Sequence, residues 1–391
     1  MKILQVTETL HEGGAELFLL RLTRELRKKG VDASVLLLDH TQKNEVLLSH
    51  FKDIPIESIK LPMIGVLNFI DRLMFKFRLD YSVKNFFLQK KLKSKIEGAD
   101  IIHSHHLTAD YLLGTLKRSN PFVHVVTVHG DYSAQYFHHK KYGSSIWRKI
   151  DNKFELLRRS VDKWILISDE QVQFFNDIMR VNAEKIEKIW NGYPESVVVA
   201  DNRFSHILNK DAFLICMVGR GVKEKGWELA IQAVRKLPKD YRLILIGDSE
   251  YLKGLKERSV ADENIFFLGF IHEPVNIIRE CDVLLMPTLF PYESLPNVII
   301  ESLSVGTPVI ATQVGEIEKM ITDETSNFKA GLLIDYVNGS IDVDQIVTHL
   351  KSIYSLKKKS DKIRCLAKKA FHKFRMENCV DKYISIYESF F

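Results

Sequence analysis

Short apolar runs alternate with longer amphipathic stretches along nearly the whole chain, the pattern of strands feeding helices. Residues 2–6 read as a strand, followed by a turn at Gly13-Gly14 and a helical pattern carrying Leu17, Leu20 and Leu26 that stops at Gly30. Further strands are predicted at 33–38, 101–103, 123–128, 164–167 and 186–190, the last closed by the Asn191-Gly192 pair. Residues 195–211 are polar and weakly patterned, a linker. A second series opens at 213–218 and continues at 242–246, 265–268, 283–286, 308–310 and 331–334. Strict alternation of this kind predicts parallel α/β architecture, here as two doubly wound domains facing a central cleft. The stretch 377–391 reads as an aromatic-rich helix.

With 391 residues the chain is long enough for two domains, and its hydrophobic and charged fractions, 46% and 27%, are those of a globular protein. Its four cysteines (Cys216, Cys281, Cys365, Cys379) form no close pair, which argues against a disulfide framework or a zinc site and fits a reducing cytoplasm. The N-terminus turns polar too early for a signal peptide, and no apolar run reaches membrane-spanning length. A cytoplasmic location is expected. The net charge of +6 is uneven: residues 60–97 hold nine Lys/Arg against three Asp/Glu, so the excess sits in one segment. That points to a basic face with an acidic partner.

The densest chemistry lies in Glu293-Ser-Leu-Pro-Asn-Val-Ile-Ile-Glu301. Pro296 suits a first helical position, so the N–H groups of Leu295, Asn297 and Val298 should face a preceding loop and favour an anion such as phosphate. Glu301 falls about 7.5 Å along that helix. Carboxylates on both sides of a phosphate cradle match a nucleotide-sugar, whose hydroxyls they accept from. The segment resembles the E-x₇-E motif of retaining glycosyltransferases of the GT-B fold, family 4 in particular. A strand before it at 283–287 and the run Ser304-Val-Gly-Thr-Pro-Val-Ile-Ala-Thr312 after it extend the likeness, which covers nearly the whole chain.

Other positions take their meaning beside that resemblance. Gly13-Gly14 follows the first strand and opens a helix, without the G-x-G-x-x-G of NAD enzymes. The family's glycine loop faces donor phosphates and acceptor, so both glycines are expected there. Arg220 and Lys225, in an R-x₄-K-G pattern after the strand at 213–218, would neutralise a diphosphate leaving group. His129 ends a strand where the family places a histidine near the donor sugar; Gly130 separates it from Asp131, where the family often has an acid directly adjacent. In His103-Ser-His105-His106 the spacing fits a metal poorly, and His105 and His106 are expected on the acceptor side. Asp342-Val-Asp344 reads as a helix cap, and no metal is expected.

The resemblance thus implies an N-terminal acceptor domain (1–198), a C-terminal donor domain (199–376), and a helix at 377–391 returning to the first. Donor contacts would come from Gly13, Gly14, Arg220, Lys225, Ser294, Leu295, Asn297 and Glu301, with Glu293 and His129 at the reacting centre. No cofactor is expected beyond a nucleotide-sugar co-substrate, UDP-linked on family frequency, and the acceptor would be a saccharide or lipid-linked glycan of a bacterial surface polysaccharide. Ser294-Leu295 replaces the family's usual glycine after the first glutamate, which leaves the donor open. An adaptor of the same fold and a sugar-nucleotide epimerase are the competing classes. Finally, Ile70, Leu73, Met74 and Phe77 recur at helical spacing among Arg72, Lys76 and Arg78. This suits either an anionic membrane surface or a helix docked on its own domain, and Lys90-Lys-Leu-Lys-Ser-Lys95 tips the balance toward a peripheral membrane contact. Nucleic-acid binding is not expected.

Overall fold

A computed structural model of the chain describes all residues except 12, 78–81, 118–120, 131, 134–135, 138–149, 196–201, 209–210 and 357–359. Asp131, Arg78 with the rest of 78–81, and part of the 195–211 stretch therefore lie outside the described residues.

The chain divides into two compact units, Met1–Gly192 with Met376–Phe391, and Tyr193–Arg375. The division falls at Gly192 rather than after residue 198. In the first unit seven strands form one parallel sheet: β1 (Lys2–Thr7), β2 (Asp32–Leu37), β3 (Ile56–Ser58), β4 (Ile101–Ser104), β5 (Val123–Val128), β6 (Lys163–Leu166) and β7 (Ile186–Lys188). Their spatial order is β3-β2-β1-β4-β5-β6-β7. In the second, β8 (Phe213–Val218), β9 (Tyr241–Ile246), β10 (Ile265–Gly269), β11 (Val283–Met286), β12 (Val309–Thr312) and β13 (Gly331–Ile334) stand in the order β10-β9-β8-β11-β12-β13. Among the described residues the strands of both sheets pair in parallel, for example Lys2↔Asp32 and Phe213↔Tyr241. Helices cover both faces of such sheets, so the strands are nearly continuous apolar runs: every residue of β11 and β12 is buried.

Each strand order reverses once, between β1 and β4 and between β8 and β11. Loops leaving the carboxyl ends of those strands diverge and leave a crevice, the usual ligand site of an open α/β sheet. These loops carry Gly13, His105, Arg220 and Glu293.

The C-terminal helix Met376–Glu388 packs in the first unit, where Val380, Tyr383 and Tyr387 join Ile3, Phe18, Ile101, Val125 and Ile165 in one core cluster. Gly192 is close-packed beneath it: a Cβ there would lie 2.6 Å from the Cys379 Cβ. At the other end of the second unit, Asp342 caps the helix Val343–Ser355 by accepting from the Asp344 N–H at 2.9 Å, and Asp344 pairs with Lys236. The D-x-D sequence is a cap.

Candidate active site

In the second unit, β8 runs into the loop 219–226, which is anchored along its length. The Trp227 indole N–H donates to the Arg220 carbonyl at 3.1 Å, and the Ser249 hydroxyl to the Gly221 carbonyl at 2.7 Å. A single 3₁₀ turn, Lys223–Lys225, ends at Gly226 with φ +80°. A Cβ at Gly226 would stand 1.9 Å from the Pro287 carbonyl oxygen, so only glycine lets this loop approach the chain leaving β11. The Leu289 N–H donates to the Glu224 carbonyl at 2.7 Å and ties the two loops together.

That contact delivers Lys225 to Glu293. The ammonium donates to Glu293 Oε1, and the buried Thr288 hydroxyl donates to the same oxygen at 3.3 Å. Glu293 is 8% exposed. Its backbone is clasped from the far side by Gly315, φ +54°, where a Cβ would lie 1.7 Å from the Glu293 carbonyl oxygen, and by the Glu316 N–H, which donates to the Ser294 carbonyl at 3.2 Å. A carboxylate this enclosed requires a cation or donor beside it, and Lys225 supplies one. Arg220 and Lys223 are exposed at the same loop.

The helix that follows is Asn297–Ser304. Pro296 is its N-cap, φ −68° and ψ 111°, and not its first residue as the sequence suggested. The extended ψ holds Pro296 half outside the helix, so Asn297 and Val298 form its opening, and the Pro296 carbonyl accepts from the Ile299 N–H at 3.0 Å. Leu295 is buried, Ser294, Asn297 and Glu301 are half-buried, and Glu301 is the fifth helical residue. The two glutamates thus differ: one is enclosed and ion-paired, the other faces partly into solvent. Together the helix opening, two cations and two carboxylates can hold a polyanion beside hydroxyls.

In the first unit the helix Gly14–Lys28 starts behind Gly13. Glu16, in its first turn, folds back so closely that a Cβ at Gly13 would be 2.2 Å from Glu16 Oε2. Its other oxygen accepts from Thr9 Oγ1 at 2.8 Å and lies 4.0 Å from His106 Nε2. Glycine at 13 is therefore required for the carboxylate's approach. With an acid already at this helix start, the Gly13-Gly14 turn suits hydroxyls better than the phosphates expected from sequence. The Thr7 hydroxyl donates to the Thr9 carbonyl at 2.9 Å, so His106 Nδ1–H is the donor in the 2.8 Å contact to Thr7.

His129 follows β5 and is half-buried. His105 lies behind it, 2% exposed, with rings stacked and Nδ1 3.1 Å from His129 Nε2. The other nitrogen of His105 is 2.6 Å from Gln5 Oε1. An amide oxygen only accepts, which fixes the tautomers: His105 Nε2–H donates to Gln5, and His129 Nε2–H donates to His105. His129 Nδ1 is left with its lone pair, buried and without a hydrogen-bond partner. Burial, reinforced by the charge of His106, pushes the His129 imidazole down to about 3, so it is neutral near pH 7. Under this pair, His103 bonds the Tyr387 and Thr127 hydroxyls at 2.7 and 2.8 Å, and Tyr383 bonds Thr127 at 3.0 Å. His105 therefore does not line an open surface as expected; it supports His129 from within, and only His106 and His129 reach outward. Among the described residues no three His, Cys, Asp or Glu side chains group as a metal site.

Sequence reasoning missed Gln5, Glu16, Thr288 and Gly315. Glu16 stands two residues after Gly14, and Gly315 three residues after β12, yet neither position says which group it will meet.

Residues 12–196 match the family described as Glycosyltransferase Family 4, and residues 198–370 that described as Glycosyl transferases group 1. An uncharacterized glycosyltransferase of Methanocaldococcus jannaschii is 24% identical, covering 96% of this chain and 94% of its own. A Campylobacter jejuni N-acetylgalactosaminyltransferase acting on a diphospho-undecaprenol glycan is 26% identical over 62% of this chain and 66% of its own. Among solved structures, Anabaena HepE in complex with UDP superposes with a TM-score of 0.77 at 20% identity, covering 100% of both chains, and has also been solved with UDP-glucose.

Proposed function

Since the chain belongs to the group 1, family 4 glycosyltransferases and has the GT-B fold, we propose that it transfers a hexose from a UDP-sugar to a saccharide or lipid-linked glycan with retention of configuration and without a metal ion. The observation that carries this reading is the enclosed Glu293–Lys225 pair beside the start of the helix Asn297–Ser304, at the crevice between β8 and β11. The choice of donor is supported by HepE, whose structures hold UDP and UDP-glucose, and that of acceptor by the undecaprenol-linked substrate named for the Campylobacter enzyme. Assembly of a bacterial surface polysaccharide would use both.

In this reading Arg220, Lys225 and the helix opening at Leu295 and Asn297 hold the diphosphate, and Glu301 accepts from the ribose hydroxyls. Glu293 orients the hexose and offsets positive charge growing at its anomeric carbon. The acceptor oxygen attacks that carbon from the face the diphosphate leaves. The carbon–oxygen bond breaks, its electron pair stays on the phosphate, and a phosphate oxygen takes the acceptor's proton. Fixed cations and N–H groups aimed at that oxygen stabilise the developing charge without reorganising. His129, neutral and with Nδ1 lacking a partner, accepts from a donor-sugar hydroxyl that reaches this buried nitrogen, and Glu16 with His106 faces acceptor hydroxyls.

The test is a panel of UDP-, GDP- and ADP-sugars, read by thermal shift and by nucleotide release. A UDP-sugar should raise the melting temperature and release UDP, and Glu293→Ala, Lys225→Ala and Glu301→Ala should each suppress release in a folded protein. Absence of stabilisation by any nucleotide-sugar would leave the adaptor reading in its place.

A further inference from the structure

Between β3 and β4 the chain leaves the sheet for two helices, Ile64–Lys76 and Val83–Ile96. The first is apolar on two faces. Ile64 and Leu67 pack on the core cluster formed with Leu88, Leu92 and Ile96. Met63, Val66, Phe69, Leu73 and Phe77 face the other way, with Phe69 60% and Phe77 71% exposed. Of the stripe read from sequence, Leu73 and Phe77 are therefore outward, while Ile70 and Met74 are half-buried. Docking on its own domain and presenting an apolar face are not alternatives here; the helix does both. Phe86 and Phe87 are exposed at the start of the second helix, and Lys90 Nζ stands 4.6 Å from the Phe86 ring centroid.

Charge is sorted in the same way. Asp71 turns inward, accepting from the Ser82 hydroxyl at 2.5 Å and the Val83 N–H at 2.7 Å, which joins the two helices. Lys84 pairs with the buried Asp39, and Lys95 with Glu57. Arg72, Lys76, Lys90 and Lys93 are exposed. Arg72, Lys76, Lys90 and Lys93 share the two helices with the outward phenylalanines, and Lys90 lies over Phe86.

The geometry points to a docking surface for an anionic lipid bilayer, with Phe69, Phe77 and their apolar neighbours entering the headgroup–acyl boundary and Arg72 and Lys76 meeting lipid phosphates. A second copy fits badly, because like charges would meet. Nucleic acid fits less well, because bases stacked on Phe69 and Phe77 would leave the aliphatic Met63, Val66 and Leu73 of the same face in water. The inference does not rest on glycosyl transfer and is tested without donor or acceptor.

The full chain is sedimented with vesicles of phosphatidylcholine alone, or with one quarter phosphatidylglycerol, at about 0.1 and about 0.5 M salt. It should pellet with the anionic vesicles only, and less at high salt. Arg72→Ser/Lys76→Ser should lower the partition coefficient roughly thirty-fold, at about five-fold per cation. Phe69→Ser/Phe77→Ser should lower it by about ten-fold or more per ring. Both variants should melt with the wild type, since these side chains lie outside the core. No pelleting with anionic vesicles at low salt, binding indifferent to both variants, or a solution dimer abolished by the phenylalanine changes would each overturn the inference. Capture by a soluble acidic protein with no vesicle binding would do so as well.

Discussion

Lys225→Ala separates what the ion pair does for the fold from what it does for the reaction. The substitution leaves Glu293 enclosed, with only the Thr288 hydroxyl at 3.3 Å still facing Oε1. Removing one partner of a buried pair costs about 3–5 kcal/mol. The side chains here retain 17% and 10% exposure, so the lower end applies, about 3 kcal/mol. For a unit of this size that is a fall of roughly 6–12 °C in melting temperature. Glu293→Gln on the same background removes the stranded charge and should recover most of the loss. Turnover follows a different course. Losing one fixed donor to a developing anion lowers kcat about 10²–10³-fold, and the double variant should stay at least that slow, because neither cation nor carboxylate is restored. Melting is followed by calorimetry and turnover by UDP release. Lys225→Ala within two-fold of wild-type kcat/KM, or a double variant that melts no higher than the single, would refute the assignment.

Three further outcomes are expected. His103, His105, His124 and His129 are all held below the usual imidazole range, by burial first, and His124 and His129 are pushed to about 3. The unfolded chain therefore binds more protons below about pH 6.5, and the first unit should be fully stable above that pH, losing up to about 1.4 kcal/mol per pH unit for each of these histidines as the pH falls, down to about pH 3 for His124 and His129; a urea midpoint constant from pH 7.5 to 5 would contradict this. Gly226→Ala, at φ +80° and 1.9 Å from a carbonyl, should destabilise the second unit by about 3 kcal/mol and slow turnover, read by urea melts and UDP release. Ending the chain at Arg375 removes the wholly buried Tyr383 and Tyr387 from the first unit's core, so that unit should lose its cooperative melt; a wild-type transition would disprove the packing role.

The strands at β5, β8, β11 and β13 were legible to the residue, because short runs dominated by apolar residues, β5 with only His124 and Thr127 among its valines, have one reading in a sheet covered on both faces. β3, only Ile56–Ser58 at a sheet edge, was missed, since three half-exposed residues make no pattern. Glu293 and Lys225 were singled out through the resemblance, in its E-x₇-E and R-x₄-K-G patterns. That Thr288 and Gly315 would clasp Glu293 was not legible, because those contacts join separate strand ends. The His103–His106 run shows the same limit: alternation assigns faces, but only the neighbouring β1 and β5 decide that His105 meets Gln5 and His129. In the helix Ile64–Lys76 the period was read correctly and the face was not, because apolar residues occupy both sides.

The return of Met376–Glu388 to the first sheet also orders events on the ribosome. Residues 193–375 are all synthesised before the strands made first receive their last covering helix. Domains usually mature in the order of translation; here the earlier half can complete its core only after the later half has been made.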